Sequence, residues 1–463
     1  MLYRSGTRGL RPTLSMAILC ALAAVAHGGD FLFRKQVLST AYDSEGAFAG
    51  DLDGDGKPDL VSGPYWYAGP DFKVRHEYQP VVILDPAGGT YTNNFMGWVD
   101  DVDKDGHGDI VMAGLPGEPG NWYQNPGPVE AGKAVRHWQK RQAFVDFGNE
   151  SPDMTEMFGD GKRQVLFNTN DGYFCWAEPN PKSIDSAWLV HRISTKKGSA
   201  EYKYTHGLGH GDVHGDGRID LLEKDGWWEQ PASRAGDPVW TFHAFAFNRG
   251  GSQMIVYDVD GDGDADVIST YEAHSFGLAW YEQIKGGSGL TFKTHWILAA
   301  KGAAAIPGMP AFSQLHALAL DDIDGDGLAD LVTGKRRWAH GPTGDDEPNA
   351  PPVLYAFRLI RGDSVRYQPI PIDSSSGIGT QLEMQDLNGD GRKDILIGNK
   401  SGTFIFYKDG KTIRILSEKS RAILPYAPIE CDPLGRTLGS VRPLWGGGVW
   451  PAHFTLARPP DLK

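Results

Sequence analysis

Carboxylates in this chain recur at fixed spacing. Six stretches place oxygen-bearing side chains at positions 1, 5 and 9, mostly with another at position 3 and always with glycine at position 6: "DLDGDGKPD", "DVDKDGHGD", "DVHGDGRID", "DVDGDGDAD", "DIDGDGLAD" and "DLNGDGRKD". Ligands at alternate positions converge on one hard cation, a carbonyl at position 7 completes the shell, and glycine permits the sharp turn. Dense, flexible oxygen coordination selects Ca²⁺ over Mg²⁺. The expected ligands are Asp51, Asp53, Asp55 and Asp59 in the first loop, then Asp101, Asp103, Asp105 and Asp109. Asp212, Asp216 and Asp220 follow, then Asp258, Asp260, Asp262 and Asp266. Asp322, Asp324, Asp326 and Asp330 precede the last set, Asp386, Asn388, Asp390 and Asp394. Calcium here staples hairpins and catalyses nothing. An EF-hand shares the first half of the pattern but needs Glu at position 12. That position holds Ser62, Met112, Ser269, Thr333 and Ile397, and only Glu223 fits.

Two copies depart from the pattern. His214 stands at position 3 of the "DVHGDGRID" loop. A decayed copy, "EMFGDGKRQ" from Glu156, has Phe158 and Gln164 in place of two ligands. It is expected to hold no metal, while its Asp160-Gly161 turn keeps the hairpin.

A second set of residues has different chemistry. His206, His274, His316 and His340 fall in three consecutive repeats, with Lys335 and Arg336 beside the last and Tyr271 near His274. Imidazoles from separate loops can converge on Zn²⁺ or another divalent metal, or serve as acid and base near neutral pH. Lys335 and Arg336 suit an anionic group or a developing enolate. Against this stands hydrogen bonding of the histidines to surface groups, and pairing of Lys335 and Arg336 with Asp345, Asp346 and Glu347 of their own loop. That loop, "KRRWAHGPTGDDEPNAPP", is long for a compact fold, and long structured loops are usually functional. His210 lies in an apolar row and reads as a satisfied core histidine. His137, His191, His243 and His295 read as structural residues of outer strands.

The loop starts are 46 to 64 residues apart, which suits one four-stranded blade each. Counting back from each loop, position −2 holds Ala49, Val99, His210, Val256, Leu320 and Met384, and position −4 holds Ala47, Gly97, Leu208, Met254, Leu318 and Leu382. Both rows share one strand face. Position −6 (Glu45, Phe95, His206, Ser252, His316, Thr380) then lies on the disc face opposite the acidic loops. "DLVSG"-type strands follow each loop, and aromatic strands such as "YWYAG" and "FIFYK" come third. The expected fold class is all-β, a seven-bladed β-propeller over 27–411. The seventh blade lacks a fourth strand, and "FLFRKQVLS" at 31–39 is expected to supply it and close the ring. Residues 412–463 form an extension.

The repeated D-x-[DN]-x-D-G-x-x-D followed by two aliphatics resembles the FG-GAP/VCBS repeat family, which implies a calcium-dotted propeller. The stretch "SQLHALALDDIDGDGLADLVTGKRRWAHG" and the W-Y-E-Q type strands look like the propeller domain of fungal aldos-2-ulose dehydratases and related exported bacterial propellers. That resemblance implies elimination on keto-sugars with a metal in the pocket, and pocket roles for His316, Lys335, Arg336 and His340.

Residues 1–26 read as an export signal: Arg4, Arg8 and Arg11 precede an apolar run ending in Ala24-Val25-Ala26. The run is too short to span a bilayer. Its removal takes the net charge from −14 to −17, because it carries three arginines and no acid. Such a surface argues against nucleic acid. Cys175 and Cys431 make no disulfide scaffold. Two functions stay open. One is an exported lyase or dehydratase acting on a keto- or oxidised sugar. The other is a non-catalytic propeller that binds glycan or protein.

Overall fold

The computed structural model describes residues 33–128, 137–145, 147–195, 203–286 and 289–408. Among them every regular element is a β-strand. β1 (Phe33–Ser39) is followed by β2 (Ala47–Gly50), β3 (Asp59–Ser62), β4 (Tyr65–Tyr67) and β5 (Arg75–Glu77). Next come β6 (Met96–Asp100), β7 (Asp109–Ala113), β8 (Asn121–Gln124) and β9 (Gln139–Gln142). β10 (Asp153–Thr155), β11 (Gln164–Asn168), β12 (Phe174–Glu178) and β13 (Leu189–Arg192) follow the same plan. So do β14 (Leu208–Gly211), β15 (Asp220–Glu223), β16 (Gly226–Glu229) and β17 (Thr241–Ala244), and β18 (Gln253–Tyr257), β19 (Asp266–Thr270), β20 (Leu278–Gly286) and β21 (Gly289–Leu298). β22 (Leu318–Asp321), β23 (Asp330–Gly334), β24 (Leu354–Ile360) and β25 (Arg366–Asp373) precede β26 (Leu382–Gln385), β27 (Asp394–Asn399) and β28 (Gly402–Lys408).

Each acidic loop joins the first two strands of an antiparallel meander. Five sheets have four strands, and β14–β21 form one sheet of eight. The arrangement is propeller-like, but the fourth and fifth units are fused rather than separate. β14 pairs in parallel with β18, with Leu208, Gly209 and His210 opposite Gln253, Met254 and Ile255. Glycine explains the close approach. A Cβ on Gly209 would lie 1.9 Å from the Met254 carbonyl oxygen, so only the bare backbone fits. In the last sheet β1 pairs antiparallel with β28, as expected for the "FLFRKQVLS" segment.

The acidic loops are tied to their sheets by the aspartate at position 9. In the first loop Asp59 Oδ2 accepts the Leu52 and Asp53 amides at 2.8 and 3.1 Å, and Oδ1 accepts the Gly69 amide of the third strand's end at 2.8 Å. Asp109, Asp220, Asp266, Asp330 and Asp394 repeat this clamp. In the decayed copy Gln164 takes over, accepting the Met157 amide at 3.1 Å, and Gly161 still donates to Glu156 at 2.7 Å. Phe158 packs edge-on against Trp176 and under the Arg234 guanidinium at 3.9 Å.

The outer histidines are structural. His76, His191, His243 and His295 stack on Trp66, Trp176, Trp227 and Trp280 at 3.8 to 4.8 Å. His137 meets Glu77 at 2.8 Å. Apolar clusters fill the spaces between successive units, for example Phe144, Phe167 and Trp188 beside Trp122 and Val111. One cluster joins Ala47, Leu60, Tyr67 and Phe72 to Leu387, Leu396, Ile405 and Tyr407, the two ends of the described chain. Residues 1–26 and 412–463, with Cys20 and Cys431, lie outside the described residues. Cys175 is free and buried, its thiol pushed up to about 12 by burial.

Candidate metal centre

The chemistry gathers opposite the acidic loops, at position −6 of the repeats. There the inner strands begin, and apolar rows give way to polar side chains. His206 precedes β14, His316 precedes β22, and His274 follows β19. Glu150, His206, His274 and His316 each offer one ligand atom, all within 4.8 Å of one another. Glu150 precedes β10, in the decayed repeat.

A hydrogen bond at His206 and a carboxylate contact at His274 assign the tautomers. His206 Nδ1 lies 3.0 Å from the Tyr204 carbonyl oxygen, which can only accept, so Nδ1 carries the proton. His274 Nδ1 lies 3.2 Å from Asp345 Oδ1. The Nε2 lone pairs of His206 and His274 then face each other across 2.9 Å. Nearby, His316 Nε2 is buried without a hydrogen-bond partner. Two lone pairs at that distance repel unless a cation or proton lies between them. Burial first, then the neighbouring Arg336 and imidazoles, pushes His316 well below the usual histidine range. Burial likewise lowers His206, despite Glu150. Neutral imidazoles are the form that ligates metal, and His206 is steadied through its other nitrogen. Three imidazoles and one carboxylate fit a Zn²⁺-type divalent ion.

Asp345 serves two histidines. Its Oδ1 also lies 2.7 Å from His340 Nδ1, and the His340 ring stacks on His274 at 4.5 Å. Burial alone would raise the Asp345 carboxyl, but the two histidines hold it well below the usual range. The Asp345 hydrogen bond raises His340. The loop carrying both is pinned by Gln314, whose side chain accepts the Ala339 amide at 3.1 Å and donates to the Asp346 carbonyl at 2.9 Å.

A cavity of about 240 Å³ opens beside the cluster, lined by Tyr91, Phe95, Leu115, Glu150, Tyr204, His274, Arg336, Ala339 and His340. Arg336 lines it and is anchored by Glu45: one guanidinium nitrogen lies 2.6 Å from Glu45 Oε2, while its Nε is buried without a hydrogen-bond partner. Lys400 and the Tyr42 hydroxyl bind the other Glu45 oxygen. Burial would raise Glu45, yet Arg336 and Lys400 keep it below its usual value.

Sequence reasoning brought His206, His274, His316 and His340 to one face, and they meet. Arg336 was expected to pair within its own loop or to hold an anion; its partner is Glu45 from the first repeat. Lys335 is buried, donating to Ser313 Oγ at 3.1 Å and lowered to about 8 by burial, and it does not line the cavity. Tyr271 packs against Trp296 and stays outside it. His210 pairs with Asp153 at 2.9 Å and borders a separate cavity of about 510 Å³ between the inner strands. Glu150 stands at position −6 of the decayed loop, where the loss of two ligands hides the register that marks the intact copies. Tyr91, Tyr204 and Asp345 lie in loops with no periodicity to mark them.

The sequence of the FG-GAP-like repeat family matches residues 258–333. No curated protein matches the chain. Among solved structures, BBS1N, crystallised with ARL6DN, is 12% identical with a TM-score of 0.45, covering 82% of this chain and 98% of its own. An Agrocybe aegerita lectin recognising non-reducing terminal N-acetylglucosamine is 16% identical with a TM-score of 0.40, covering 78% and 84%. The rhamnogalacturonan lyase YesW is 13% identical with a TM-score of 0.38, covering 80% and 72%. At these scores none of the three informs the chemistry of this site.

Proposed function

We propose that this is an exported, calcium-stiffened, seven-bladed propeller that carries out lyase or dehydratase chemistry on a keto- or oxidised sugar at a divalent metal centre. The observation that carries the site is the pair of Nε2 atoms facing each other across 2.9 Å beside the partnerless Nε2 of His316. Supporting a ring of seven units, the fused sheet contains two complete meanders, and one apolar cluster joins the first and last units. Export rests on the N-terminal sequence alone.

A divalent ion held by His206, His274, His316 and Glu150 would supply Lewis-acid polarisation of a substrate carbonyl. The chain's own residues do the rest. His340, oriented by Asp345, removes the proton next to that carbonyl. The electron pair left behind expels the β-hydroxyl, which takes that proton from the protonated His340 and leaves as water. Tyr91, Phe95 and Tyr204 offer aromatic faces to a sugar ring. Because Asp345 raises His340, the base form gains ground only above the ordinary histidine pKa, so turnover should climb through neutral pH.

The half-exposed Tyr204 at the rim favours a second reading, a glycan-binding propeller without turnover. One experiment separates them. Protein washed with a weak chelator in excess Ca²⁺ is assayed for transition metal and for an ultraviolet-absorbing enone from keto-sugars. Stoichiometric metal reduced by the double variant His206→Ala/His316→Ala, with enone formed by the parent only, supports the lyase. Metal without enone leaves the binding reading. No metal attributable to these histidines overturns the centre.

A further inference from the structure

The "DVHGDGRID" loop breaks the oxygen-only pattern at position 3, and the structure shows how the imidazole is used. In the first loop the ligand atoms that gather are those of positions 1, 3 and 9, Asp51, Asp53 and Asp59. The same three positions gather here as Asp212, His214 and Asp220. His214 Nδ1 lies at hydrogen-bond distance, 2.9 Å, from Asp220 Oδ2, a separation that two ligands of one small ion can also adopt. The imidazole has therefore entered the ligand place rather than turning to solvent.

The other ring nitrogen faces carboxylates that orient it. His214 Nε2 lies 3.0 Å from Asp216 Oδ2 and 3.6 Å from Glu229 Oε1. Glu229 comes from β16 and is itself held by His243 at 2.7 Å. A ligating histidine that donates its far N–H to a carboxylate is the usual support of a transition-metal ligand, since it fixes the tautomer and makes the near nitrogen more basic. Asp216, the position 5 ligand of the other loops, is spent on this support and on Arg218. At position 3 the site thus exchanges a hard oxygen for a nitrogen. Six to eight oxygens are what Ca²⁺ requires, whereas a small N,O set suits Zn²⁺, Co²⁺ or Mn²⁺.

We propose that the Asp212–His214–Asp220 loop is a structural site for a Zn²⁺-class ion, in a chain whose other intact loops are built for Ca²⁺. The site is independent of the His206–His274–His316 centre, on the opposite side of the repeats.

The full chain is stripped with EDTA and reloaded with Zn²⁺, or with Co²⁺ as a visible probe, in millimolar Ca²⁺. The background is His206→Ala/His316→Ala, so that the pocket centre does not contribute. One equivalent of transition metal should remain, with Co²⁺ giving d–d bands. Adding His214→Asp restores the oxygen pattern and should remove that equivalent and add one Ca²⁺. Asp216→Asn should weaken Zn²⁺ about 10- to 100-fold, as loss of an orienting carboxylate does. Zinc absent from the double variant, or unchanged by His214→Asp, overturns the proposal. Either result leaves the pocket reading standing, because that is scored by the metal lost between parent and double variant.

Discussion

Glu45 is the most tightly constrained ionisable residue near the centre. It is fully buried and binds Arg336, Lys400 and Tyr42 together. Both cations are equally buried, and burial pulls Lys400 down to about 8 even with Glu45 beside it. Such a group is worth little against an apolar replacement of the whole set, but removing one member strands opposite charge in the interior. Glu45→Ala should therefore cost about 3–5 kcal/mol in urea unfolding. It should also weaken the pocket, because Arg336 lines the cavity and loses its anchor. A loss under about 1 kcal/mol would show that water reaches these cations and that the network is not a buried one. Glu45 was placed by the register of the repeats, one strand length from its loop. Its partners could not be, since Arg336 is 291 residues away in sequence and Lys400 is 355. Periodicity locates a residue on a face, but it does not say which neighbour across the axis it meets.

At the scale of elements, the acidic loops were legible because their ligands are local. Nine residues carry both the turn and the proposed cation site. The fusion of β14 with β18 was not legible, because it depends on Gly209 lying against a backbone some 45 residues away in the chain. The loops also make a claim about pH. Burial, with neighbouring carboxylates adding to it, pushes Asp109 and Asp330 up to about 7 and Asp266 and Asp394 up to about 6. An acid raised on folding takes up protons in the folded state. Without metal, these four carboxyls contribute stability that is fully present below the unfolded carboxylate pKa, near 4, and is lost as pH rises through 6 to 7. A bound cation reverses the preference by favouring the ionised form. In EDTA the melting temperature should fall between pH 5 and pH 8, and Ca²⁺ should raise it more at pH 8 than at pH 5. A melting temperature indifferent to EDTA at pH 8 would refute structural calcium.

At the scale of the molecule, the question is whether the units form one closed ring. β1 supplies the outer strand of the last sheet: Phe33 faces Lys408, Lys35 faces Phe406 and Val37 faces Phe404. Lys35 is also tied to Asp373 of β25 at 3.0 Å, and Arg34 lies over the Tyr407 ring at 4.2 Å. β28 reads "GTFIFYK", so without β1 it would present an apolar, unpaired edge. Deleting residues 33–39 separates two architectures. In a closed ring each unit is held on both sides, so loss of β1 should lower the melting temperature of the whole molecule in one transition and promote self-association through β28. In an open array only the last unit should melt early, leaving a second transition near the parent value. A peptide spanning residues 31–41, added in trans, should restore part of the loss in the closed ring by re-forming the β1–β28 ladder. An unchanged melting curve after the deletion would refute closure by this strand. Two separate transitions would refute the closed ring while leaving the β1–β28 pairing intact.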